Sequence, residues 1–296
     1  MHLENPIKKP AIMGIINCTP DSYYEPSRCS SLSHTLKKIE GWIEAKAVDI
    51  IDIGGESTRP PTPFHQNSSN NTITHSLNPK EEWERVQETL EEILRIFPQI
   101  PVSIDTRKFQ VAKAALDLGV KYVNVITHDL QDPLYSPFID LLNEFPHSTM
   151  ILTHMHGTST ATMQKGPFLA SPIMPKIIQW FEEQLKYFSD KSGISSQNRF
   201  ILDPGIGFGK EKPTQDIEIC THIKELKKLE YPVLVGASRK SFLSEILKGK
   251  KSNELLSATL GINSYLLHQG VDILRVHDVL ENKEILEVYK TMKVNL

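Results

Sequence analysis

The chain has 296 residues, 39% of them hydrophobic, and a formal net charge of −3. That suits one large α/β domain, for which about 250 residues is common, and it supplies enough apolar material for a full core. The slightly acidic balance argues against nucleic acid as a partner, no run approaches the ~18 apolar residues of a membrane span, and "MHLENPIKKP" lacks the apolar stretch of a signal peptide, so a cytoplasmic location is expected.

The first apolar run, "AIMGIIN" (11–17), predicts a strand, followed by the amphipathic helix "SLSHTLKKIEGWIEAKAV". "DIIDIGG" (49–55) is the second strand, and the Asn/Ser/Thr/Pro-rich "PPTPFHQNSSNNTITHSLNP" (60–79) reads as a surface loop. The helix "PKEEWERVQETLEEILRIF", the strand "PVSIDT" (101–106) and the helix "KFQVAKAALDLG" come next. Strands follow at "YVNVIT" (122–127), "MILTHM" (150–155), "FILDPG" (200–205), "PVLVGAS" (232–238) and "ILRVHD" (273–278), the last preceded by the helix "ELLSATLGINSYLLHQG". Continuous apolar strand cores indicate burial on both faces, and alternation with helices indicates a parallel sheet. Eight such units predict closure into a single (β/α)8 TIM barrel spanning 1–296.

Nearly every apolar run ends in polar residues: Asn17, Glu56 to Arg59, Asp105, Asn124, His154 with His156, Asp203, Ser238 to Lys240, and Arg275 with His277. The C-terminal ends of barrel strands meet at one mouth, so these groups are expected to share a pocket. Arg59, Arg239, Lys240, Arg275 and His277 are too many cations for a neutral ligand and point to phosphate or pyrophosphate. A buried aspartate with no paired lysine suits a planar heterocycle that offers an amino group and an adjacent ring N–H. "DPGIGFGK" (203–210) matches neither the Rossmann nor the P-loop spacing, and its glycines are read as allowing a tight turn and close approach of a flat ligand. His154 and His156 could share a metal, but strand ends carrying Asn, Thr, Arg and Lys do not complete a metallohydrolase site. Asp105 and Asp203 as a glycosidase pair lack the surroundings that chemistry needs. Three cysteines, Cys18, Cys29 and Cys220, are too few and scattered for a disulfide framework or zinc site.

Taken in order, "MGIINCTPDS", "DIGGESTRP", "SIDTRK", "THMHGT", "ILDPGIGFGK", "VLVGASRKSF" and "RVHDV" resemble the dihydropteroate synthase family over residues 13–279. The resemblance implies a transferase of folate biosynthesis, a sulfonamide target, that joins 6-hydroxymethyl-7,8-dihydropterin pyrophosphate to 4-aminobenzoate, usually as a homodimer through late helices. It implies that Asp203, Asn124 and Asp105 bind the pterin edges, that Lys240 reaches the carbonyl side, and that Phe208 packs on the ring. Arg275, His277, Thr58 and Arg59 would hold pyrophosphate, Ser238 and the first two loops would frame the aminobenzoate, and Asn17 would be a ligand of Mg²⁺. Lys240, Asp105, Arg275 and His277 would carry the catalysis. Arg239 is expected to pack behind its neighbour. The chain departs from the family pattern at "YYEPSRCS", at Val125 where an acid usually follows Asn124, at His156 where Gln is common, and in its long 60–79 loop. A non-catalytic pterin binder would need no pyrophosphate set, and a pterin methyltransferase would need a corrinoid partner.

Overall fold

The computed structural model describes residues 10–18, 31–56, 77–157 and 168–294. In chain order these form β1 (Ala11–Asn17), α1 (Leu32–Glu44), β2 (Ile50–Gly54), α2 (Pro79–Ile96), β3 (Val102–Asp105), α3 (Phe109–Asp117), β4 (Tyr122–Thr127), α4 (Pro137–Glu144), β5 (Thr149–His154), α5 (Met174–Ser192), β6 (Phe200–Asp203), α6 (Thr214–Thr221), α7 (Ile223–Leu226), β7 (Leu234–Val235), α8 (Ser241–Ile246), α9 (Leu256–His268), β8 (Ile273–Val276) and α10 (Val279–Val294). All eight expected strands are present. The 60–79 loop lies almost wholly outside the described residues, as does Cys29. Cys18 and Cys220 are buried thiols.

The helices start where local chemistry directs. Ser31 accepts the backbone N–H of His34 at 3.2 Å and opens α1. Asn78 and Glu81 exchange side-chain and backbone hydrogen bonds at 2.9 Å in each direction, a capping box that opens α2 with Pro79 in its first turn.

The strands are all parallel, in the order β6-β5-β4-β3-β2-β1-β8-β7. A parallel bridge between Leu202 and Val233 joins β6 to β7 and closes the barrel. β7 is shorter than the 232–238 expected: Pro232 has no N–H to give, and beyond Val235 the chain turns through Gly236 to Lys240 to enter α8.

Side chains alternate along a strand, so each strand divides its residues between the helix layer and the barrel interior. Ile12, Ile16, Ile51, Ile53, Val123, Val125, Leu152, Leu202 and Leu274 belong to the large core against the helices. The opposite parity forms a separate interior cluster of Ala11, Met13, Ile50, Tyr122, Ile151, Ile201, Leu234 and Ile273. Val125, which departs from the family pattern, therefore faces the helix core, fully buried, and not the mouth.

Candidate active site

On five of the strands, the same face turns polar two residues past the apolar interior position: Ile50 leads to Asp52, Tyr122 to Asn124, Ile151 to Thr153, Ile201 to Asp203 and Ile273 to Arg275. The register sets Gly54 beside Asp105, Asp105 beside Asn124, and Thr153 beside Asp203. The barrel thus has an apolar base and a polar upper layer, and strand periodicity alone gathers residues from across the chain into that layer.

Arg275 organises one side. Its Nε donates to Asp52 Oδ2 at 2.6 Å and its terminal nitrogen to Asp105 Oδ2 at 2.6 Å. Burial alone would lower the Arg275 pKa, but Asp52 and Asp105 drive it upward, so the guanidinium is a fixed cation. Asp105 pairs with this arginine, which it shares with a second carboxylate. Burial pushes it up to about 7, opposed by Arg275 and reinforced by Asp52. Its folded pKa lies above the unfolded value of 3.8, so its contribution favours folding below that value and is lost as pH rises toward about 7. Asp105→Asn is therefore expected to flatten the fall in stability between pH 4 and pH 7, read from urea unfolding at both ends of that range. An unchanged slope would show that another group titrates there.

The opposite wall is the 203–210 segment. Asp203 is buried, its Oδ1 accepts the Gly205 N–H at 2.8 Å, and burial raises its pKa, an effect that Lys240, the same hydrogen bond and Arg275 oppose. Gly205 and Gly209 have φ of +71° and +70°, and an added Cβ would lie 1.9 Å from the carbonyl oxygens of His154 and His156 respectively. The positive φ fits the tight turn expected here, and the lack of a Cβ at these two positions also lets the chain's own backbone approach closely. At Gly207 a Cβ would meet Lys240 Cδ at 3.3 Å. Lys240 donates to the Ile206 carbonyl and holds its ammonium 4.1 Å from the Phe208 ring centroid, a cation–π contact. Phe208 packs on Ile126 and Met155, the apolar part of the pocket wall.

Lys210 and His154 form a brace under this wall. The fully buried Lys210 Nζ donates to His154 Nδ1 at 2.9 Å and to the carbonyls of Gly205 and Phe208 at 3.0 and 2.9 Å. Burial lowers Lys210 to about 7 and, with Lys210 beside it, takes His154 well below its ordinary range. With Lys210 Nζ against it, His154 Nδ1 is already engaged, and among the described residues no cluster of three or more His, Cys, Asp or Glu could hold a metal.

Ser238 is expected to frame a second substrate. It lies buried against His277, its Oγ 3.0 Å from Nδ1 and 3.3 Å from the backbone N–H, which it accepts. Arg239 leaves the anion-binding set: with φ of +54° it turns back into the fold, bonds both oxygens of Asp278 at 2.8 Å, and donates to the Ser252 carbonyl at 2.7 Å. That is the packing role expected from its neighbour's position. Asn17 closes β1 at the mouth, half-buried and paired in register with Gly54. Thr58 and Arg59 lie outside the described residues.

Asp52, Lys210, Asp216 and Asp278 were not singled out from sequence. Asp52 carried a signal, a lone acid inside the apolar run "DIIDIGG" in phase with Ile50. Asp216, which accepts the Gly207 N–H at 2.7 Å, sits within a helix and carried none.

Residues 13–277 match the family model described as pterin binding enzyme. Among curated proteins, the chain is 32% identical over 299 residues to a dihydropteroate synthase of Neisseria meningitidis serogroup B, covering 98% of this chain and 95% of that one. It is 34% identical over 281 residues to the dihydropteroate synthase of Synechocystis sp., covering 95% and 89%. Among solved structures it resembles the Yersinia pestis dihydropteroate synthase in complex with a sulfonamide drug, with a TM-score of 0.83, 29% identity and coverage of 97% and 95%.

Proposed function

The chain belongs to the pterin binding enzyme family, as a dihydropteroate synthase, and from that premise we propose how its residues divide the work. It is a transferase that joins 6-hydroxymethyl-7,8-dihydropterin pyrophosphate to 4-aminobenzoate, giving 7,8-dihydropteroate and pyrophosphate in folate synthesis. Asp203, Asn124 and Asp105 recognise the pterin edges, with Lys240 at the carbonyl side and Phe208 beside the ring. Arg275, His277, Thr58 and Arg59 receive the pyrophosphate, and Ser238 with the first two loops frames the aminobenzoate, Ser238 also bracing His277.

The observation that carries this division is the convergence of Asp105, Asn124, Asp203 and Arg275 in one interior layer above an apolar base. The aryl amine is already neutral near pH 7, so no general base is needed. Breaking the C–O bond at the pterin methylene is the difficult event. Lys240 and Arg275, as fixed cations, stabilise the negative charge that develops on the departing oxygen, and the buried carboxylates face the ring as it gives up electron density. The half-buried amide of Asn17 suits one oxygen ligand to Mg²⁺, a hard ion that takes its other ligands from phosphate and water. When bound, the ion would supply further charge stabilisation to the pyrophosphate.

Pyrophosphate release from the pyrophosphorylated pterin and 4-aminobenzoate tests the reading, with the plain pterin alcohol as control. Asn17→Ala should shift the Mg²⁺ titration of that activity to higher concentration by about tenfold. An unchanged curve removes Asn17 from the metal, and binding of both pterins without turnover would leave a non-catalytic binder.

We further propose a homodimer through the late helices, supported by exposed Tyr265 on α9 and exposed Leu280, Val288 and Met292 on α10. A cytoplasmic location is supported by the activity's place in folate synthesis.

A further inference from the structure

Asp52 is fully buried in the middle of β2, with its side chain in the interior layer. One of its oxygens, Oδ2, serves two of the proposed substrate-binding groups at once. It accepts from Arg275 Nε at 2.6 Å and from Asn124 Nδ2 at 3.4 Å. The second bond of Arg275, to Asp105, leaves from a different corner of the guanidinium, so two anchors fix the plane of the fork. The amide of Asn124 is held the same way: its Oδ1 accepts the Thr153 hydroxyl at 3.3 Å while its Nδ2 turns to Asp52, which settles which way the amide faces.

This arrangement costs stability. Among the described residues the other oxygen of Asp52 has no hydrogen-bond partner, nor has the hydroxyl of Ser103, its register neighbour on β3, and both are buried. An apolar layer like the one below would avoid that cost, and buried ion pairs are often no more stable than well-packed hydrocarbon. Stability therefore does not explain the acid; orientation of what it holds does.

We propose that Asp52 is a positioning residue for the reaction: from the interior layer it fixes the Arg275 guanidinium and the Asn124 amide in mutual register before substrate arrives. This rests on the reading of Arg275 and Asn124 as substrate-binding groups. Asp52 touches no substrate; it acts through the two side chains it orients.

Steady-state kinetics of the full chain test it. Asp52→Asn keeps the volume but weakens the grip on Arg275 and turns an acceptor toward a mixed group. It should lower kcat/KM for the pyrophosphorylated pterin about 10- to 100-fold, the cost of a misplacement of ångström size. The KM for 4-aminobenzoate and the melting temperature should hold, to within about twofold and about 4 °C. Combined with Arg275→Lys, it should add little to the loss from Arg275→Lys alone. Ser103→Ala, in the same layer but holding neither group, should match wild type. If Asp52→Asn does not fold, Asp52→Ser, with room for water, carries the comparison; failure of both to fold makes the role structural and overturns the proposal. So does an Asp52→Asn enzyme within about twofold of wild type while Arg275→Lys is impaired, or an equal loss in Ser103→Ala. Wild-type kinetics in Arg275→Lys would instead remove Arg275 from the site, and the underlying reading would fall with the proposal.

Discussion

Asp203→Asn is expected to weaken dihydropterin binding roughly 100-fold while leaving the barrel folded. The structure sharpens the reason. Asp203 already accepts the Gly205 N–H through Oδ1 at 2.8 Å. In the asparagine variant that backbone donor claims the amide oxygen, which turns the NH₂ toward the pterin. Ring donors would then face a donor, and a buried mismatch of this kind costs about 1–3 kcal/mol. The turn itself survives because Gly205 keeps an acceptor. Calorimetry with a dihydropterin measures the effect, and affinity within about twofold of wild type would take Asp203 out of the site.

Arg275→Met is expected to damage both activity and folding. It leaves Asp52 and Asp105 facing one another without their shared cation, and removing one partner from a buried ion pair costs about 3–5 kcal/mol. The loss should be largest at neutral pH and shrink on acidification. Without Arg275 to oppose burial, the Asp105 pKa climbs further above its unfolded 3.8, so the folded chain holds a proton that the unfolded chain releases, and lower pH favours the fold. Denaturant unfolding at pH 5 and pH 8 checks this, and an equal loss at both would mean that the carboxylates are relieved in some other way.

The barrel was legible because two periodicities coincided: apolar strands alternating with helices, and polar residues at each strand's C-terminal end. The pocket followed from it, since every strand of a barrel delivers its end to the same mouth. What sequence could not give was partnership. Arg239 and Lys240 are adjacent cations in one turn, yet a positive φ at Arg239 sends one to Asp278 and leaves the other over Phe208. Nothing near Asp105 in the sequence names its cation, which lies 170 positions away. Nor does anything local to "DPGIGFGK" show that the carbonyls of His154 and His156 lie 1.9 Å from where side chains at Gly205 and Gly209 would begin. Each of these is a long-range contact, fixed by closure of the barrel and by nothing in the neighbouring residues.

That closure is uneven. Every other pair of neighbouring strands shares a ladder, but β6 and β7 meet in one bridge, with Leu202 donating to the Pro232 carbonyl at 2.9 Å. Val233 gives most of its bonds to the other side, its carbonyl to Asp272 and Ile273 and its N–H to the Asp272 carboxylate. This is the seam along which the ring would unzip first, by the same logic that makes the least hydrogen-bonded segment of a domain open ahead of the rest. Asp203 stands on one bank of that seam and Lys240 on the other. A pterin held by both would be a rivet across it, and occupancy of the pocket and integrity of the barrel would then be thermodynamically linked: each pterin bound would draw the banks together, and each opening of the seam would expel it.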